Sequence, residues 1–188
     1  MMQAFQIASQ ICEGLDAAHR QSVVHRDLKS QNVIINSNNQ IKIIDFGLAR
    51  TAQREGMTAT GLIMGTPEYM APEQVSGKKV DERADVYSLG IILYELFTGR
   101  VPFVADSAIA VGFKQIKEEP AAPSSINPQV SPEVEKIILR ALQKEPLQRF
   151  RSVGELRIEL ENAVLKPASL LSVSGAEKKA AEVKHTES

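Results

Sequence analysis

The stretch His25-Arg26-Asp27-Leu28-Lys29-Ser30-Gln31-Asn32 constrains this chain more than any other feature of it. It crowds an imidazole, a guanidinium, a carboxylate, an ammonium and an amide into one short segment. Asp45-Phe46-Gly47 and then Ala71-Pro72-Glu73 follow it in order. The first stretch fits a single pattern, H-R-D-L-K-x-x-N. At roughly one in twenty per fixed position, such a match arises by chance about once in 10⁸ start sites. A lone Asp, Asn or His in a loop is usually a turn former or a cap. Here the order and spacing carry the meaning.

Composition narrows the setting. With 43% hydrophobic and 24% charged residues among 188, the chain is ordinary globular material, enough for one domain or a large part of one. A net charge of −1 gives no global attraction to nucleic acid or to an anionic membrane. The single cysteine, Cys12, cannot form an internal disulfide and reads as a small core residue. The N-terminus has no basic and apolar signal character. The longest strongly apolar stretch, Leu89 to Phe97, is interrupted by Glu95 and too short for a span. These features place the chain in the cytoplasm, with no nucleic-acid partner and no membrane segment.

The periodicity organises the rest. Ile7, Ile11, Leu15 and Ala18 share one face of a helix over Ala4 to His19. Val33 to Ile35 and Gln40 to Ile44 are short β-rich runs around the polar turn Asn36-Ser37-Asn38-Asn39, which predicts a hairpin. Residues 48–70 show no clean period and read as a long, functional loop. Asp85 to Phe97 is apolar nearly all round, so it predicts a buried helix stopped by Gly99. Asp106 to Lys117 predicts a helix capped by Asp106 or Ser107. The proline-rich segment Glu119 to Pro132 reads as an extended crossing. Ser131-Pro132-Glu133 opens a helix to about Lys144, and Ser152 caps a last one running to about Leu165.

The ordered motifs resemble the protein kinases, in wording closest to bacterial serine/threonine kinases of the receptor-like type. The resemblance covers residues 4 to about 165. It implies a mostly α fold with a small β-hairpin, the C-terminal lobe of a kinase domain. It implies transfer of the ATP γ-phosphate, with Mg²⁺, to serine and threonine hydroxyls of protein substrates. Such transfer needs an aligned hydroxyl, metal ions on the phosphates and cancellation of spreading negative charge.

The resemblance also distributes roles. Asp27 would orient or accept the proton of the substrate hydroxyl, and Lys29 would sit beside the transferring phosphoryl group. Thr66, in Gly65-Thr66-Pro67-Glu68-Tyr69-Met70, matches a threonine that bonds this Asp and Lys. Asn32 and Asp45 supply the oxygen donors that Mg²⁺ accepts. Ile34 floors the adenine pocket, while His25, Phe46 and Gly47 support the site. Asp85 would accept backbone N–H bonds from the catalytic loop, though an ordinary helix cap explains it equally. Glu73 would pair with Arg149, which otherwise reads as a surface charge. Glu95 would meet basic substrate residues or play a structural part. Arg26 commonly binds a phosphate on the activation segment, which makes Thr58 and Thr60 phosphosite candidates.

One part of the kinase pattern is missing. Residues 1–24 contain no lysine and a single glycine, Gly14. No glycine-rich phosphate loop occurs anywhere in the sequence. The expectation is therefore a partial kinase domain over 1–165 with the N-terminal lobe absent, followed by a flexible tail over 166–188. Its partners would be that missing lobe and protein substrates. A catalytically inactive lobe remnant acting as a binding module is the alternative. A small-molecule phosphotransferase shares the H-x-D-x-x-x-x-N core, but Thr66, Ala71-Pro72-Glu73 and Asp85 belong to protein-substrate machinery.

Overall fold

The computed structural model describes residues 2–46 and 65–165. Gly47, Thr58, Thr60 and the expected tail lie outside the described residues. The described part is mostly helical, with one two-stranded antiparallel sheet. Helix α1 spans Met2–His19 and buries Ala8, Ile11, Cys12 and Leu15. Strands β1, Val33–Ile35, and β2, Ile41–Ile43, pair in register Val33 to Ile43 and Ile35 to Ile41. The turn between them is built by Asn36, whose Oδ1 accepts from the Asn38 and Gln40 amides at 2.9 Å.

Helix α3, Arg83–Thr98, is the centre of the core. Every residue from Ala84 to Tyr94 is buried, as is Phe97. It follows a short helix α2 at Pro72–Val75 and ends at Gly99, whose φ of 79° is the left-handed geometry a Cβ disfavours. Helix α4, Ala108–Lys117, is capped by Ser107, which accepts from the Ala110 amide. Helices α5, Pro123–Ile126, α6, Pro132–Ala141, and α7, Val153–Leu165, complete the described chain. Helix α1 packs on α7, β2 and α3, and α6 packs on α3 and α7.

Two expectations need correction. The segment from Glu119 to Pro132 is not extended throughout. Pro123 opens the helical turn α5, and the Ser124 amide is held by Glu135 Oε2 at 2.8 Å. Helix α6 stops at Ala141 rather than near Lys144: the Gln143 amide turns to the Arg140 carbonyl at 3.3 Å, a tighter turn that ends the regular ladder, and the carbonyls of Gln143 and Lys144 beyond it accept from the Arg149 guanidinium. Among the described residues, no helix is long and apolar enough to cross a membrane.

Gly90 marks the tightest contact of α3. A Cβ there would lie 2.9 Å from Ala141 Cβ and 3.0 Å from Leu142 Cδ2. Ala141 and Leu142 are both fully buried, so they have no room to retreat. Alanine is the better helix former by about 1 kcal/mol. Overpacking should nevertheless prevail, and Gly90→Ala should lower unfolding free energy by about 1–3 kcal/mol. Urea melts of the two proteins check this. An equal or higher midpoint for the alanine variant would show that α3 and α6 can part without cost.

Candidate active site

The loop after α1 carries the first motif, and α3 holds it in place. Asp85 lies in the first turn of α3, but its side chain does not cap the helix. Its Oδ2 accepts from the His25 amide at 2.7 Å, and its Oδ1 from the Arg26 amide at 2.8 Å. Nε2 of His19, from the end of α1, meets Oδ2 at 2.7 Å as well. Asp85 is completely buried, so its charge depends on these partners. Arg26 sits at φ 65°, in the left-handed region that a side chain rarely adopts. The Asp85 bond to its amide and a 2.7 Å bond from Gln74 Nε2 to its carbonyl hold this residue on both sides.

The bonds of His25 tie the loop to the second motif. Its Nδ1 accepts from the Asp27 amide at 3.3 Å, which assigns the ring proton to Nε2. That Nε2 donates to the Ile44 carbonyl at 3.0 Å, next to Asp45. The His25 ring also stacks obliquely on Phe46, with centroids 4.6 Å apart. Asn32, buried in the turn Ser30–Asn32, donates Nδ2 to the Asp27 carbonyl at 2.9 Å, and its own carbonyl accepts from the Ile44 amide at 3.0 Å. With Nδ2 engaged, the acceptor of this amide is Oδ1. Asp45 follows directly at φ 58°, with its side chain exposed. One amide oxygen and one carboxylate on adjoining backbone fit Mg²⁺, which keeps several waters and shares phosphate oxygens. No cluster of three His, Cys, Asp or Glu ligands forms among the described residues.

Asp27, Lys29 and Thr66 converge although they come from separate segments. Lys29 Nζ lies 3.2 Å from Asp27 Oδ2 and 3.3 Å from Thr66 Oγ1. The Asp27 and Lys29 side chains are 27% and 22% exposed, so the pair is open to a substrate. Ile34, expected at the adenine-pocket floor, is 47% exposed, and Ile35 beside it is 46% exposed. Phe46 is half-buried, with its ring against His25.

The Ala71-Pro72-Glu73 motif is anchored at two points. Glu73 receives the Arg149 guanidinium end-on, with Nη1–Oε1 and Nη2–Oε2 both at 2.7 Å. Arg149 is 2% exposed, which rules out a surface charge. Gln74 takes the Ala71 amide on Oε1 at 3.0 Å and donates Nε2 to the Arg26 carbonyl at 2.7 Å. Sequence reasoning passed over Gln74 and His19; the only available signal was their position beside a motif. Glu95 accepts from Tyr69 Oη at 2.7 Å and from the Ser30 hydroxyl, so its carboxylate stands inside the site with a structural part. Burial pushes the Tyr69 phenol up to about 12, so it remains a donor to Glu95 at neutral pH.

A helical body centred on α3 carries a loop in which Lys29 meets Asp27 and Thr66, and in which Asn32 is bonded to the Asp27 carbonyl and to the Ile44 amide next to Asp45. The protein kinase domain model matches residues 1–157, and the chain belongs to that family. It is 46% identical over 153 residues to a probable serine/threonine-protein kinase of Streptomyces coelicolor, covering 80% of this chain and 23% of that protein. It is 41% identical over 159 residues to the serine/threonine-protein kinase PknB of Mycolicibacterium smegmatis, covering 84% of this chain and 25% of that protein. A probable serine/threonine-protein kinase of Corynebacterium efficiens is 39% identical over 176 residues, or 88% of this chain and 27% of that protein. The chain thus spans about a quarter of the length of the curated relatives it matches.

Proposed function

We propose that this chain is the catalytic-loop and substrate-binding lobe of a serine/threonine protein kinase that transfers the ATP γ-phosphate to protein hydroxyls when completed by an N-terminal lobe. The observation that carries this reading is Lys29 Nζ bridging Asp27 and Thr66. A serine or threonine hydroxyl presented beside Thr66 would reach the Asp27 carboxylate. Asp27 orients that hydroxyl and takes its proton as the oxygen bonds to the γ-phosphorus, while the bond from that phosphorus to the β,γ-bridging oxygen breaks and ADP leaves. Lys29 holds its positive charge where the phosphoryl oxygens gather negative charge. Asn32 and Asp45 would hold Mg²⁺, which neutralises the phosphates when bound. Ile34, on the exposed face of β1, would lie under the adenine.

The test compares this chain alone with the same chain joined behind the N-terminal lobe of the Streptomyces relative. Both receive Mg²⁺-ATP and a basic protein substrate. The chain alone should transfer little, because positioning is most of this chemistry and no phosphate-covering loop is in the sequence. The completed protein should turn over. Lack of transfer by the completed protein would leave the binding-module reading. In the same sample, mass spectrometry should find phosphate on Thr58 or Thr60, the residues suited to meet Arg26. Full activity of a Thr58→Ala/Thr60→Ala variant, with neither residue modified in the parent, would remove that assignment.

A further inference from the structure

We infer that Gln115 is a positioning residue for the protein substrate: it fixes the backbone of the segment after Thr66 on which the substrate peptide docks. The inference rests on the kinase reading above and adds a residue that no motif contains. Gln115 lies near the end of α4 and is completely buried. Its Nε2 donates to two consecutive carbonyls, Pro67 O at 3.0 Å and Glu68 O at 2.7 Å. Its Oε1 accepts from Tyr87 Oη on α3 at 2.6 Å. The amide orientation follows from these partners. Turned over, it would set its oxygen against two carbonyl oxygens.

The donor on the other side is equally determined. Burial drives the Tyr87 phenol far above its ordinary range, so it keeps its proton. Tyr87 Oη in turn accepts from Lys144 Nζ at 3.4 Å, and burial brings that ammonium down only to about 8, so it is still charged at neutral pH. The Tyr87 ring also lies under the Arg149 guanidinium, 4.8 Å from centroid to carbon. A chain of contacts therefore runs from the Glu73–Arg149 pair through Tyr87 and Gln115 to Pro67 and Glu68. Thr66 is the next residue, and its hydroxyl meets Lys29.

The two carbonyls lie in a single short helical turn. They belong to the turn Pro67–Tyr69, whose own backbone bonds are Tyr69 N to Thr66 O at 3.1 Å and Met70 N to Pro67 O at 3.3 Å. The Pro67 carbonyl thus takes the Met70 amide at a long 3.3 Å, and Gln115 gives it a second donor. The same side chain from α4 holds the Glu68 carbonyl at 2.7 Å, so one amide group fixes two successive peptide units of the turn. A peptide whose acceptor hydroxyl is presented beside Thr66 would lie against this turn, whereas ATP and Mg²⁺ would face Asn32 and Asp45. Gln115 should therefore govern peptide recognition and leave nucleotide recognition alone.

The experiment uses the completed kinase described above and a serine peptide substrate, with Gln115→Leu and Tyr87→Phe beside the parent. Gln115→Leu should raise the peptide KM about tenfold or more and keep the ATP KM within about twofold. Tyr87→Phe should move the peptide KM the same way by less, since both Nε2 bonds survive. Hydrogen exchange of the full chain should show faster exchange at the Tyr69 and Met70 amides in Gln115→Leu, with α3 unchanged. If the parent transfers phosphate and the peptide KM of Gln115→Leu is unaltered, the inference fails while the kinase reading stands. Equal rises in both KM values would also overturn it, as they mark a general loosening. A parent without transfer overturns the kinase reading and this inference together. Should Gln115→Leu not fold, the Tyr87→Phe values decide by the same criteria.

Discussion

Asp27→Asn should lower the phosphotransfer rate of the completed kinase by about 10²–10⁴-fold. Asparagine keeps the shape of the side chain and removes its charge and basicity. The substrate hydroxyl would then lose both the group that orients it and the acceptor of its proton. Lys29 Nζ, 3.2 Å from Asp27 Oδ2, would lose its anionic partner but keep Thr66 Oγ1 at 3.3 Å. The loop should stay in place, because its anchors are the Asp85 bonds to the His25 and Arg26 amides. The Asp27 side chain is 27% exposed, so the change leaves no uncompensated charge in the core. The loss should thus fall on kcat, with KM for ATP and peptide nearly unchanged and an unaltered urea midpoint. A variant that retains most of its turnover would show that Asp27 does not handle the proton. A loss accompanied by unfolding would place Asp27 in the loop's architecture instead.

The sequence revealed what local order encodes. The hairpin was legible because two apolar runs flank Asn36 to Asn39, and Asn36 alone organises that turn. Helix α3 was legible because its all-round apolar run has no other home than a core, with Gly99 to end it. The motif residues Asp27, Lys29, Asn32 and Asp45 could be named in order, and the structure brings Asp27, Lys29 and Thr66 into contact. Features stabilised only by distant partners were not legible. Helix α5 has its Ser124 amide held by Glu135, and the carbonyls just past α6 are taken by Arg149. Gln74 and Gln115 look like ordinary polar helix residues in sequence. Their partners Arg26, Pro67 and Glu68 are remote along the chain, so no periodicity or spacing marks them.

Removing either partner of the Glu73–Arg149 pair should lower unfolding free energy by roughly 3–5 kcal/mol. The size follows from what is left behind. Arg149 directs all its N–H groups to protein acceptors: Nε to the Gln143 carbonyl at 2.7 Å, Nη1 to Glu73 and the Arg83 carbonyl, and Nη2 to Glu73 and the Lys144 carbonyl. In Glu73→Gln the guanidinium stays buried with its charge uncompensated. In Arg149→Met three carbonyls lose their donor, and Glu73 is left as a bare carboxylate that is 5% exposed. Arg149→Met should therefore be the more damaging of the two. The double variant should be less destabilised than the two single changes added together, because no unpaired charge remains in it. It should still fall below the parent, since the carbonyls of Gln143, Lys144 and Arg83 are not rescued by an apolar side chain. Urea melts of the four proteins give these values and the coupling between the sites. Single variants within about 1 kcal/mol of the parent would equate this pair with an exposed salt bridge. Additive losses would show no coupling between the two charges, each single loss then coming from that side chain's other contacts.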